Sequence, residues 1–310
     1  MLALLGVTAR HGRLLLVAGL VAGVVLPSAA LTLKHWLAEL VTLLLFLAAL
    51  RIGPRSALGA GRDLPHTVLL VAVFQLALPL IAIALFHLTG LLGHRTATAL
   101  VLMLSASAIS GSPNLTILLG RDPAPALRLL IVSTALLPLT VVPVFWALPE
   151  LGTPGDVAYA AARLLGVIAL AAGLAFGLRA TVMRDPSPDV IRALDGVSAI
   201  ALAVVVVGLM SAVGPALTGA PADLLYWLAV VFAANFGQQI ASALVLRRTG
   251  LAAQAAPISV TAGNRNIALF LVALPAAVTD PLLLFIGCYQ IPMYLTPLLL
   301  RRFYASVTPA

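Results

Sequence analysis

Ten stretches of predominantly apolar residues divide this chain, at 14–33, 37–50, 67–88, 97–119, 124–148, 157–178, 197–217, 224–246, 252–274 and 282–300. Most reach the roughly 20 residues that a helix needs to cross the hydrocarbon core of a bilayer. Lipid offers no partner to a free N–H or C=O, so such stretches must close their backbone hydrogen bonds internally, as helices. Composition agrees: 62% of the 310 residues are hydrophobic and 9% charged. A mean hydropathy of +1.13 excludes a soluble globular chain. The expectation is an all-α integral membrane protein with ten transmembrane helices. The short second stretch, preceded by Lys34 and His35 and carrying Glu39, begins at the interface.

Charge tests the count. With loops alternating sides, fourteen arginines, from Arg10 and Arg13 through Arg62 to Arg301 and Arg302, fall on one side. Lys34, Arg95 and Arg163 fall on the other. Basic loops are retained in the cytoplasm, which predicts a multi-pass protein of the cell membrane with both termini cytoplasmic. The formal charge of +8 is scattered between apolar spans and interleaves with no aromatic cluster, so nucleic acid is not the expected partner. Lone Cys288 offers neither a disulfide nor a metal site. A P-loop, a zincin motif and a nucleophile elbow are missing from the sequence, so neither an ATP-driven pump nor an enzyme is expected.

Internal repetition sets the architecture. "GSPNLTILL" at 111–119 and "GNRNIALFL" at 263–271 share G-x-x-N and an apolar tail at an offset of 152. Pro138 and Pro143 are matched by Pro292 and Pro297 at an offset of 154, and Gln75 has loose counterparts in Gln238 and Gln239. Two related halves of five spans each, an odd number, must be inverted relative to one another. Glycine and proline interrupt the fourth and ninth spans near their middles. Broken helices in corresponding positions of inverted halves point to a transporter's binding site.

Inside the ninth span, Arg265 sits between Asn264 and Asn266. A guanidinium at bilayer depth costs at least about 3 kcal/mol unless it faces a partner or a hydrated cavity. Two roles suit it. One is a tethered cation that holds an anionic ligand bidentately. The other is a tie that bonds the carbonyls of the opposite broken helix.

In the order of its motifs the chain resembles the bile acid:sodium symporter family. "LPSAALTLKHWLAELVTLLLFLAALRIGP" is similar to that family's first two spans and "FQLALPLIAIAL" to its third. "SGSPNLTILLGRD" resembles its broken fourth span, "VSTALLPLTVVP" its fifth and "ISVTAGNRNIALFLVALP" its broken ninth. The resemblance implies two inverted five-helix repeats, with helices 4 and 9 broken and crossing in a core domain packed on a panel domain. It divides the chain into panel residues 1–62 and 151–220 and core residues 63–150 and 221–310. It implies sodium symport of a small organic anion, bile-acid-like or another carboxylate or sulfonate, by alternating access.

Carried onto this sequence, the resemblance makes Gln75, Ser112, Asn114, Ser133, Thr134 and Thr261 the ion-binding set. Arg265, Asn266, Asn114 and Asn264 become the substrate-binding set. Three departures oppose bound sodium: Pro113 stands where the family has a serine, Thr261 where it has an acid, and Arg265 where it has a neutral glutamine. Unit charges about 4 Å apart interact by roughly 4 kcal/mol at an effective dielectric near 20, so sodium beside Arg265 is penalised. The alternative is therefore a sodium-independent facilitator or exchanger in which Arg265 replaces a sodium ion. An arsenite-like oxyanion exporter and a non-transporting receptor are further readings. The resemblance implies Na+ alone as a coupling ion, with membrane lipid the surrounding partner and monomer or homodimer both open.

Overall fold

The structure, a computed structural model, describes residues 2–59 and 63–307. Arg62, counted among the basic loop residues, lies outside them. Helix α1 (Leu2–Arg10) passes through His11 into α2 (Gly12–Val25), with His11 N donating to Val7 O at 3.1 Å and Leu15 N to His11 O at 3.0 Å. The chain then turns by 103° into α3 (Pro27–Lys34). Leu26 leaves the helical region (φ −113°, ψ 70°), and Pro27 has no N–H with which to continue the ladder. The 14–33 stretch, expected as one rod, is thus a bent pair.

Helix α4 (Leu37–Gly59) runs past the expected 37–50 and is kinked at Gly53, whose φ of 72° a side chain rarely tolerates. Helices α5 (Leu64–Ala72) and α6 (Leu78–Leu88) form one rod through a π turn at Val73–Ala77. The fourth apolar stretch is divided into α7 (Arg95–Ser105) and α8 (Ser112–Leu118). Unbroken helices α9 (Ala124–Trp146), α10 (Pro154–Thr181) and α11 (Pro188–Leu209) follow, and a 3-10 turn leads into α12 (Val213–Gly219). Thr153 caps α10 reciprocally: its hydroxyl accepts from Asp156 N at 3.3 Å while Asp156 accepts from Thr153 N at 2.8 Å. After α13 (Pro221–Leu246), the ninth stretch is divided into α14 (Ala255–Gly263) and α15 (Phe270–Ala273). Short α16 (Ala276–Thr279), long α17 (Leu283–Leu299) and α18 (Arg301–Val307) complete the chain.

Seven segments are long and apolar enough to cross a membrane alone, and the bent α2–α3 pair makes eight. The two divided stretches fall below that length because each is interrupted near its middle. No strand forms among the described residues, so the chain is an all-helical, multi-pass membrane protein.

Two sets of helices pack mainly within themselves. Helices α1 to α4 pack with α10 and α11, while α5 to α9 pack with α13, α14 and α17. Among the described residues, one ion pair joins the sets: Lys34 at the end of α3 meets Asp280 before α17 at 3.1 Å. The remaining pairs stay within a set, such as Arg51 with Asp195 at 2.6 Å and Arg128 with Asp63 at 3.4 Å. Trp36 and Trp146 are exposed, as an interfacial belt requires. Trp227, expected in the same belt, is instead buried with the rings of Tyr226 and Phe285 at 5.4 Å.

Lipid tails are as apolar as leucine, so helix association in a membrane depends on close packing. Gly19 and Gly23, one turn apart on α2, supply it against α11: a Cβ would stand 2.7 Å from Ala203 O at the first and 2.8 Å from Val207 O at the second. Gly166 on α10 has nothing within 4 Å of the same position. Gly23→Ala is expected to destabilise the protein by about 1–3 kcal/mol through overpacking. Gly166→Ala should be neutral or mildly stabilising, and thermal unfolding of both variants in one detergent checks the contrast.

Candidate functional site

The two interruptions meet. Between α7 and α8 the chain is unwound over 106–111, and between α14 and the following 3-10 turn over 264–266. The segments lie antiparallel, with an isolated β-bridge between Ala108 and Arg265. Ile109 N donates to Asn264 O at 3.1 Å and Asn266 N to Ser107 O at 2.8 Å. Each broken helix thus satisfies backbone groups that the other has freed, which is the condition for irregular backbone at this depth.

Arg265 lies at the centre and is 3% exposed. Its Nε donates to Ala262 O at 2.7 Å, Nη1 to Ala106 O at 3.1 Å and Nη2 to Phe74 O at 3.3 Å. Two of these acceptors are at the C-terminal ends of α14 and α7, where the helix dipoles carry partial negative charge. The third comes from the π turn. In that turn Leu78 N bonds Val73 O, so the next carbonyl, Phe74 O, would need the N–H of Pro79, which has none. The Phe74 ring also lies under the guanidinium, 5.5 Å from centroid to Cζ. A guanidinium has five N–H groups; three are bound to these carbonyls and two remain.

Behind the crossing, a buried amide network holds the ninth-span break. Asn235 Nδ2 donates to Gly263 O at 2.6 Å and to Asn264 Oδ1 at 3.1 Å. Gln239 Nε2 donates to Asn235 Oδ1 at 2.6 Å and to Thr296 Oγ1 at 3.0 Å, and Gln239 Oε1 accepts from Tyr304 at 3.0 Å. Tyr289 donates to Gly263 O and accepts from Arg265 N. On the other side of the crossing, Gln75 Nε2 donates to Ser133 O at 3.2 Å and to Thr140 Oγ1 at 3.4 Å, while Ser133 Oγ accepts from Ala108 N at 3.1 Å.

A cavity of about 450 Å³ extends from the crossing toward the arginine-bearing ends of α4 and α10. Arg265, Asn266, Ser110, Thr134 and Gln290 supply its polar groups, and aliphatic side chains of α4, α9, α10 and α11 form most of its wall. The carbonyl of Thr134 has no α-helical donor, because Pro138 stands four residues on.

The expected site residues separate into three groups. Arg265, Asn266 and Thr134 line the cavity. Gln75, Ser133, Asn264, Thr261 and Ser112 are buried beside the break without lining it; Thr261 bonds Pro257 O at 2.7 Å and Asn264 bonds Val260 O at 2.7 Å. Gln75 Oε1 and the hydroxyl of Ser112 have no protein partner. Asn114 stands apart, on the exposed face of α8 and outside the cavity. The helical register turns it outward: Ser112, Pro113, Leu115 and Thr116 occupy the buried side of the same short helix.

Sequence reasoning did not single out Gln290, Ser110, Asn235 or Thr140. Gln290 and Asn235 carried a signal, each being a carboxamide inside an otherwise apolar stretch.

The three carbonyls predict the behaviour of Arg265 variants. Arg265→Gln should lower stability by several kcal/mol, since each buried acceptor left unmet costs about 1–3 kcal/mol. Arg265→Lys should be intermediate, because an ammonium keeps the charge without the planar fork. Thermal unfolding without added ligand measures both; an unchanged melting temperature for Arg265→Gln would mean that the carbonyl contacts contribute little.

No family model matches this chain, and no curated protein matches it.

Proposed function

We propose that this chain is a secondary transporter of a small organic anion that works by alternating access. The observation that carries the proposal is the antiparallel meeting of two interrupted helices, with Arg265 and Asn266 at one end of a 450 Å³ cavity. Paired broken helices at mid-depth are the recurring construction of transporter sites. In this reading the chain crosses the cell membrane ten times with both termini cytoplasmic. Two inverted halves form a core, residues 63–150 and 221–310, that moves against a panel, residues 1–62 and 151–220.

The chemistry follows from the cavity. Apolar side chains of α4, α9, α10 and α11 receive the organic body, and the two remaining N–H groups of Arg265 receive the anionic group. Asn266 and Gln290 offer neutral hydrogen bonds beside it. The cavity runs toward the basic ends of the helices, while the Lys34–Asp280 pair bridges the two helix sets at their other end. That asymmetry supports a conformation open to the cytoplasm.

For coupling, the geometry favours the sodium-independent reading over symport. Backbone carbonyls at unwound helix ends are the groups that transporters offer to a coupling ion. Here the carbonyls of Ala262, Ala106 and Phe74 are engaged by a guanidinium fixed to the protein. A sodium ion brought to the same carbonyls would meet a like charge at close range.

Proteoliposomes test both parts. With radiolabelled monocarboxylates and sulfonates supplied as a panel, at least one is expected to accumulate or exchange, and at an unchanged rate when potassium replaces sodium. Strict dependence on sodium would overturn the coupling assignment. Failure of every anion to exchange, with folded protein in the membrane, would overturn transport itself.

A further inference from the structure

A second cavity, of about 430 Å³, lies toward the other end of α10. Val157, Ala160 and Arg163 line it on that helix, Phe145 at the end of α9, and Ala273 and Val278 beyond the ninth-span break. Asp156 and Arg163 in its lining are exposed, so water reaches it. Two residues past Val278, Asp280 makes the ion pair with Lys34 that joins the two helix sets. Both cavities therefore lie between the sets, one toward each end.

The two cavities share one face of α10. The first takes Ile168 and Ala172, the second Val157 and Ala160, and Leu164 stands between them. Steps of three and four keep all five on one side of a helix. Five positions separate Arg163 from Ile168, about 7–8 Å along the axis. In the segment after the ninth-span break, Ala268 lines the first cavity and Ala273 the second, and Phe270 stands in the interval. That interval is filled. Leu164 and Phe270 are 1% exposed and Phe145 is fully buried. The Phe145 and Phe270 rings meet edge to face at 5.3 Å. Helix α15, which carries Phe270, packs against α10 and α4 of the opposite set.

We propose that the two cavities are halves of one path through the protein, and that Phe270, backed by Phe145 and Leu164, is the barrier that closes it. A dry apolar constriction stops water and polar solutes, because hydration lost there is not replaced. The barrier is thinnest at this point, where one ring and one leucine separate the two linings. Taking the path as the route of the transported anion rests on the transporter reading, whereas the barrier itself is tested without any substrate.

Thiol accessibility of the full-length protein in oriented membrane vesicles tests it. The buried Cys288 is replaced by alanine, and a reporter is placed in the first cavity by Ala172→Cys or in the second by Val278→Cys. The probe is a membrane-impermeant methanethiosulfonate bearing a quaternary ammonium group, added to right-side-out or inside-out vesicles. Ala172→Cys is expected to react at least about tenfold faster from one side, and Val278→Cys at least about tenfold faster from the other, as a closed apolar barrier requires. Phe270→Ala should raise the reaction of Ala172→Cys from its slow side by roughly tenfold, and Leu164→Ala by about threefold, since each truncation opens space in the barrier. Phe236→Ala, which removes a ring outside both linings, should leave the slow side slow.

The proposal is overturned if the two reporters react from the same side, if either reacts from neither side, or if Ala172→Cys reacts equally from both before the barrier is altered. It is also overturned if Phe270→Ala leaves the slow side protected, or if Phe236→Ala exposes it as much. Should Phe270→Ala fail to fold, Leu164→Ala decides, and unchanged protection in that variant overturns the proposal. Labelling and anion exchange are read separately: a missing barrier leaves the exchange assay standing, and a chain that exchanged no anion would still show or lack the barrier.

Discussion

A charge without a carboxylate organises the centre of this molecule. Arg265 is held by backbone oxygens from three separate places: the end of α7, the end of α14 and the π turn between α5 and α6. Each of those oxygens is available because a helix stops or a proline withholds its N–H. A cation among helix C-termini is favoured by their partial charges. The same contacts pull together segments that lie 159 and 191 residues apart in sequence. Irregular backbone at this depth is otherwise costly, so the arginine and the breaks require one another.

The two halves support the crossing by similar means. In each, a glutamine on an unbroken rod donates to a threonine hydroxyl on a proline-containing helix: Gln75 to Thr140 on α9, and Gln239 to Thr296 on α17. In each, a polar side chain then fixes the backbone at the break, Ser133 receiving Ala108 N and Asn235 donating to Gly263 O. The halves differ in completeness. The network of Asn235 and Gln239 has all its side-chain atoms bonded, whereas Gln75 Oε1 and the hydroxyls of Ser107 and Ser112 have no protein partner. Unmet acceptors and donors therefore gather on the side of the fourth-span break, and they suit water or a small polar ligand.

The cavity has one guanidinium in its lining, that of Arg265 at the crossing. Arg265 is tied by three hydrogen bonds to backbone oxygens. Beyond it the wall is largely aliphatic. Small residues set how closely the enclosing helices approach, through Gly19 and Gly23 against α11. Where lipid provides no hydrophobic driving force between helices, such close contacts take over the role that a core has in water.

Class, approximate span positions and the places of the two breaks were legible in the sequence, because each is a local property. Length and hydropathy determine which stretches cross a membrane, and Gly, Pro and Asn at 111–114 and 263–266 determine where a helix gives way. The bend at Leu26–Pro27 and the extension of α4 past residue 50 were not read, since apolar runs do not mark where a rod turns or stops. Side-chain direction was decided only by tertiary structure. Asn114 faces out and Gln290 faces the cavity, although both are amides near the middle of an apolar stretch. Rotation about a helix axis leaves no mark on hydropathy, because it is set by what packs on each side. For Arg265 the sequence required a partner, and the fold chose the partner: three backbone oxygens supplied by chain segments that meet only after folding.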